Sequence, residues 1–309
     1  MSTPTTRLAL ATCAELPDLD PDNQLLRAAL QERGITADPV VWDDPTVDWS
    51  AYPTVLIRST WDYTARPTEF AEWARRVART SRLLNPAETI AWNIDKAYLR
   101  DLERAGLPIV PTIWLDPAER SYDARTIHTR FPAFGDFVIK PTISAGSRDT
   151  GRYEASETQS RALAITHAKN LLGVGRRVMI QRYLSNIDTA GETGLVFVDG
   201  AFSHAVRKAP LLQGPYREGY VQGVLDRAKT ITTREPSAAE RELAEKVVAA
   251  LPGLVPGVDG PLLYVRVDLI PDDEGDPVLL ELEATEPSLF FAHVPGSVER
   301  FAEAVAARV

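Results

Sequence analysis

The sequence predicts a small α/β module followed by α+β modules, and three observations support that class. A strand-helix-strand run opens the chain, an apolar strand runs into a glycine- and serine-containing loop near its middle, and hairpin-forming strands dominate the second half. At 309 residues the chain exceeds the usual size of one core, so two or three packed modules are expected.

Residues 7–12 (RLALAT) read as a buried strand, and Asp20-Pro21 supplies an N-cap followed by proline at the first helical position. Leu25, Leu26, Ala29 and Leu30 mark the apolar stripe of that helix, and Gly34 suits its left-handed stop. Residues 39–42 and 54–57 are the next strands. Pro67 opens a second helix with Phe70, Trp73, Ala74 and Val77 on one face, and Asn85-Pro86 closes a first module over residues 1–88. One helix between Thr89 and Gly106, with Ile94, Tyr98 and Leu102 at four-residue spacing, leads into a second module, 89–184. There Phe137-Val138-Ile139-Lys140 is a strand, followed by a loop, another strand, a helix capped by Ser156 with Gln159 three residues on, and a strand over 178–183. In the third module, 185–309, strands 194–198 and 201–207 meet at Asp199-Gly200, a two-residue hairpin signal. Ser237 and Glu240 cap a helix carrying Leu243, Val247 and Ala250. Strands 262–270 and 278–283 then flank an acidic turn, and the last helix begins near Ser297.

With 34 Lys+Arg against 43 Asp+Glu, the net charge of -9 opposes attraction to phosphate backbones and anionic lipid, so neither nucleic acid nor membrane is an expected partner. Cys13 is the single cysteine, which excludes an intramolecular disulfide and a cysteine-built zinc site. No apolar run approaches the roughly 20 residues of a membrane span, nor does the N-terminus carry a secretory core, and a cytoplasmic location is expected. His128, His167, His204 and His293 lack the spacing of a zinc hydrolase, and no G-x-S-x-G, Walker A or G-x-G-x-x-G sequence occurs.

Strand alternation puts Arg266 and Asp268 on one face and Glu281 and Glu283 on one face of the next strand, while Val265, Val267, Leu280 and Leu282 point to the core. Oxygen donors so arranged suit magnesium; a solvated edge hairpin is the plainer alternative. Lys140 ends an apolar strand directly before residues 141–148 (PTISAGSR), whose hydroxyls and freed amides suit anionic oxygen, though an ordinary surface loop would have the same composition. Arg58, in the segment 58–63, follows a strand at its carboxyl end, where open α/β sheets bind ligands. Its fork suits a substrate carboxylate, and a structural Arg-Asp pair beside a packed Trp61 is the alternative.

Together these segments resemble the ATP-grasp superfamily from about Thr89 onward, preceded by a small α/β domain like that of glutathione-synthetase-like proteins. The resemblance implies an N-terminal pre-ATP-grasp domain and a two-subdomain ATP-grasp fold that uses ATP and magnesium, two ions, on a small carboxylate substrate. By the same resemblance the metal ligands are Asp268, Glu281 and Glu283, the last departing from the family's Asn. Lys96 and Lys140 contact phosphates, and Ser144, Ala145, Gly146 and Ser147 cover them. Gln181, Arg182, Tyr183 and Leu184 form the adenine hinge and Asp188 reads ribose, with Gln181 replacing a commoner Glu and Asp188 a longer one. Arg266 steadies the transferring phosphoryl group with Lys140 and Arg207, while Arg58, Ser59, Trp61, Asp62 and Lys208 meet the substrate. Within the superfamily, residues 58–63, 144–150 and 281–287 look most like those of the O-ureido-serine cyclo-ligases, the D-cycloserine synthetases.

The implied activity is phosphorylation of a carboxylate followed by attack of a nitrogen, in the cyclo-ligase case within one molecule. An intermolecular amino-acid or peptide ligase and a nucleotide-binding regulatory module without turnover remain the alternatives, and homo-oligomerisation is left open. Asp268→Asn and Glu281→Gln are each expected to abolish ADP release with the fold intact.

Overall fold

Four parallel strands begin the chain: β1 (Thr6–Thr12), β2 (Ile35–Val41), β3 (Thr54–Ser59) and β4 (Arg82–Leu84), in the order β2-β1-β3-β4. The computed structural model describes residues 6–309 except 120, 211, 213, 217–230 and 256. Asp20 caps α1 (Pro21–Glu32) through the N–H groups of Asp22 and Asn23, and α2 (Pro67–Val77) buries the predicted aromatic face. Strand β4 goes unforeseen because three residues carry no readable alternation.

The helix predicted between 89 and 106 is broken into α3 (Ala87–Asn93), a 3-10 turn (Lys96–Tyr98) and α4 (Leu99–Arg104). Asp95 is extended and its carboxylate accepts from the Ala97 N–H at 2.9 Å, so a new cap interrupts the four-residue pattern. The break sets Lys96 at the start of a fresh turn.

A second sheet holds β5 (Thr112–Leu115), β6 (Asp136–Pro141), β7 (Gly151–Glu154) and β8 (Val178–Arg182), ordered β5-β8-β6-β7 and antiparallel throughout. It is covered by α5 (Ala124–His128) and α6 (Thr158–Gly173) through Ile127, Phe137, Ile139, Ala164 and Ala168. Ser156 does not cap α6: its hydroxyl donates to Glu154, and the N-cap residue Glu157 makes no side-chain cap bond.

After α7 (Ile187–Ala190) come β9 (Glu192–Val198), β10 (Ala201–Lys208) and β11 (Ile231–Thr233), and, beyond α8 (Ala238–Leu254), β12 (Tyr264–Pro271) and β13 (Pro277–Glu283). They make a sheet of order β11-β10-β9-β12-β13. Asp199 and Gly200 both take positive φ, as a primed hairpin turn demands, and the Ser237–Glu240 capping box opens α8. Leu195, Phe197, Val265, Val267 and Leu282 pack on Leu243, Val247 and Leu251 of α8 and on Leu99 and Leu102 of α4.

The last helix, α9 (Ser297–Ala306), returns to α1, where Phe301 and Val305 meet Leu26 and Leu30. Two buried amides stitch the early segments to the last hairpin. Asn85 bonds Leu263 N, Tyr264 O and Ala284 O at 2.8–2.9 Å, and Asn93 bonds Leu282 O and Ala284 N at 2.7–2.8 Å. Leaving such buried groups unpaired costs about 1–3 kcal/mol each, so the hairpin is held in register with Lys96. Among the described residues no helix is long and apolar enough to cross a membrane.

Candidate active site

The pairing of β12 with β13 sets Arg266 opposite Glu283 and Asp268 opposite Glu281. On the other side of β12, Gly194 lies opposite Asp268; a Cβ there would come within 3.0 Å of Asp268 Oδ1 and 3.5 Å of Arg266 Cδ, so glycine makes room for both. A register shift between Asp268 and Leu269 alters the expected alternation on β13. Leu279 is fully buried, and Leu280, predicted for the core, lines the cleft beside Glu281.

That cleft has a volume of about 410 Å³ and runs between the second and third sheets. Its lining includes Lys96, Lys140, Ser144, Ala145, Gly146, Ser147, Gln181, Arg182, Tyr183, Leu184, Lys208, Arg266, Glu281, Glu283 and Trp61. Val138, Ile270 and Leu280 add apolar surface near the 181–184 segment.

Ion pairs thread the third sheet. Arg266 donates from Nε and Nη2 to Asp268 at 2.9 and 2.8 Å, meets Glu283, and reaches Ser288 O at 2.9 Å. Lys208 Nζ lies 2.8 Å from Asp268 and also pairs with Glu192. Lys96 Nζ is 3.0 Å from Glu281 and donates to Ser144 O at 2.7 Å. Burial alone would raise all these carboxyl pKa values. At Asp268, Arg266 and Lys208 outweigh it and hold the carboxyl well below the usual range; at Glu281, Lys96 and Lys140 keep the carboxyl below its ordinary value. Burial prevails at Glu192, pushed up to about 7 despite Lys208, and at Glu283, raised despite Arg266.

Lys140 differs. It ends β6 with 8% of its surface exposed, its Nζ makes no ion pair or hydrogen bond among the described residues, and burial lowers its pKa to about 8. Glu281 and Lys140 are near enough to feel each other's charge.

Not every predicted residue reaches the cleft. Arg58 is fully buried, its Nε donating to Asn23 at 2.7 Å and its Nη2 to Pro287 O at 2.5 Å, with Tyr264 under the guanidinium. The fork expected for a substrate clamps protein instead. Ser59 bonds Asp20 at 2.7 Å, and Asp62 accepts from Trp42 and Arg66, both at 2.9 Å. Of Arg58, Ser59, Trp61 and Asp62, Trp61 is the one that lines the cleft.

Arg207 turns the other way, donating to Ala190 O and Thr189 O at 2.7 and 3.0 Å and closing the end of α7. A bulge between Phe202 and His204 shifts the pairing so that Lys208, not Arg207, lies opposite Glu192. Asp188 stays outside the cleft, accepting from the Tyr183 hydroxyl, with Arg152 stacked on the Tyr183 ring.

Among the described residues no three His, Cys, Asp or Glu side chains form a metal-ready group, and both oxygens of Asp268 are engaged by Arg266 and Lys208. Glu281 and Glu283 nonetheless present hard oxygen donors to the cleft and fit a divalent cation.

Among the cleft residues that the predicted site leaves out are Glu192, Tyr63 and Glu286. Glu192 could have been found by counting back from the Asp199-Gly200 turn, but the bulge spoils the count. Glu286 lies past the end of β13, where no strand period reaches.

Residues 8–85 match the family described as the D-cycloserine synthetase DcsG N-terminal domain. Over 305 residues the chain is 36% identical to the cycloserine biosynthesis protein DcsG of Streptomyces lavendulae, with 98% of both chains covered. The crystal structure of D-cycloserine synthetase DcsG aligns at a TM-score of 0.87 and 36% identity, over 98% of this chain and 99% of that one. A RimK domain protein ATP-grasp from Sphaerobacter thermophilus aligns at 0.66 and 17% identity, over 98% and 99%, and that likeness is one of fold.

Proposed function

We infer the reaction from the family: this chain belongs to the D-cycloserine synthetase family of ATP-grasp ligases, which form C–N bonds with ATP. Its reaction is ring closure within one small amino-acid-like molecule, through an acyl phosphate, to a cycloserine-type product. The observation that carries this reading is the facing of Lys140 and Lys96 with Glu281 and Glu283 across one cleft.

Residues 181–184 supply backbone groups for adenine, and Val138, Ile270 and Leu280 supply apolar faces. The phosphates then fall to Lys140, Lys96 and the 144–147 loop, where two left-handed residues, Gly146 and Ser147, reorient the backbone. A divalent ion, when bound, neutralises phosphate charge beside Glu281 and Glu283; two ions, with Asp268 released as a further ligand, is the fuller form of the proposal. Arg266 stands next to those carboxylates and steadies charge on the transferring group.

Chemically, an oxygen of the substrate carboxylate attacks the γ-phosphorus, the bond to ADP breaks, and the carboxyl gains a leaving group. A nitrogen of the same molecule attacks the carbonyl carbon, loses a proton, and phosphate departs. Holding both ends of one molecule in reach removes the need for a separate amine site.

Incubation with ATP, magnesium and a panel of small amino acids and ureido acids, following ADP and product mass together, tests the reading. A cyclised product formed with ADP is expected. Products joining two molecules would point to an intermolecular ligase, and ATP binding without ADP release to a regulatory module.

A further inference from the structure

We propose that Glu286, flanked by Trp61 and Tyr63, receives the α-ammonium group of the amino-acid substrate, an assignment that rests on the ligase reading and deepens it. Glu286 lies just beyond β13, is 7% exposed, and lines the cleft together with Trp61 and Tyr63. The Trp61 indole N–H donates to the Glu286 carbonyl at 3.2 Å, which ties the ring to this residue, and Tyr63 is fixed behind it by stacking on Phe70.

What singles Glu286 out is its lack of a counter-charge. On the wall built by β9 to β13 each carboxylate meets a cation: Glu281 has Lys96, Glu283 has Arg266, Asp268 has both Arg266 and Lys208, and Glu192 has Lys208. Glu286 makes no ion pair among the described residues, though it is more deeply buried than Glu281, Glu283 or Glu192. Burial, and next the charge of Glu283, push its carboxyl up to about 8, with the Tyr63 hydroxyl pulling the other way. Burial keeps the group protonated while the cleft is free, and it becomes a carboxylate readily once a ligand brings a cation.

An ammonium supplies that charge, and aromatic rings beside a carboxylate are suited to a cation. The group is also in the right place for an amino acid. Glu283 and Glu286 lie three residues apart and line the same cleft, so a carboxyl group activated beside Glu283 leaves its own α-amine on the side of Glu286. The site then selects amino acids over plain acids, because an acid lacking the amine leaves Glu286 buried and unanswered; sites built to pair a polar group reject analogues that lack it strongly.

The probes are D-cycloserine, which keeps the α-amine, and isoxazolidin-3-one, the same ring without it, each titrated calorimetrically into the full chain with ADP and magnesium. The parent is expected to bind D-cycloserine at least tenfold tighter. Glu286→Gln should erase that difference while leaving the affinity for isoxazolidin-3-one and for ATP unchanged. Equal binding of the two probes by the parent, binding of neither, or full discrimination by Glu286→Gln overturns the assignment. Should the variant fail to fold, the comparison on the parent alone decides. Ring closure without discrimination sinks this inference and leaves the ligase reading standing; discrimination without ring closure does the reverse.

Discussion

The two sides of the cleft treat charge differently. On the third sheet, Asp268, Glu281, Glu283 and Glu192 are tied to Arg266, Lys208 and Lys96 before any ligand arrives. Across from them Lys140, and at the far end of the hairpin Glu286, are as deeply buried and have no ion partner among the described residues. The contrast teaches that one set is built into the fold, whereas the two groups without an ion partner, an amine and a carboxyl, wait for a phosphate and an ammonium.

The comparison breaks most visibly at Asp268. Removing its charge leaves Arg266 and Lys208 facing each other in a buried site, so Asp268→Asn should cost about 3 kcal/mol or more in urea unfolding, beyond any loss of turnover. This replaces the expectation that the fold would be untouched. A variant as stable as the parent would show that the pairs are incidental.

Lys140→Met should do the opposite. ADP release should fall by about 100-fold or more, since a cation facing the phosphates is gone, and the melting temperature should not fall, since an unpaired buried charge has been removed. Loss of folding together with activity would place Lys140 among the structural charges.

Glu286 sharpens the contrast through pH. Its folded carboxyl keeps a proton up to about 8, whereas an unfolded glutamate releases it near 4.5, so the native state binds more protons in between and the parent loses stability as pH rises through that window. Glu286→Gln should therefore match the parent at pH 4 and exceed it by about 5 kcal/mol above pH 8, read from denaturant midpoints across the range. Parallel pH profiles for the two proteins would refute the assigned shift. Arg207, outside the cleft, should matter least: Arg207→Met should retain turnover within about twofold and lose about 1 kcal/mol from the two carbonyl bonds.

Much of this architecture is legible in the chain. The parallel opening unit, the Asp199-Gly200 hairpin, the Ser237 capping box and the Arg266–Glu283 strand pair follow from local patterns, because caps, turns and period-two alternation are written in adjacent residues. Direction was harder to read. Two bulges, at Phe202/His204 and Asp268/Leu269, change which side chains share a face, and so Arg207 and Leu280 go to unexpected sides. The partners that bury Arg58, Asn23 and Pro287, lie 35 and 229 residues away, beyond any local pattern.

The most direct measurement of the central claim is calorimetric titration of magnesium-ATP at pH 8 in two buffers of different ionisation enthalpy. Lys140, half-protonated when free at that pH, should become fully charged against the phosphates, so binding takes up about half a proton in the parent and none in Lys140→Met. Affinity should accordingly weaken above pH 8. A heat of binding that is the same in both buffers for the parent would mean that Lys140 does not meet the triphosphate, and the division between answered and waiting charges would fail.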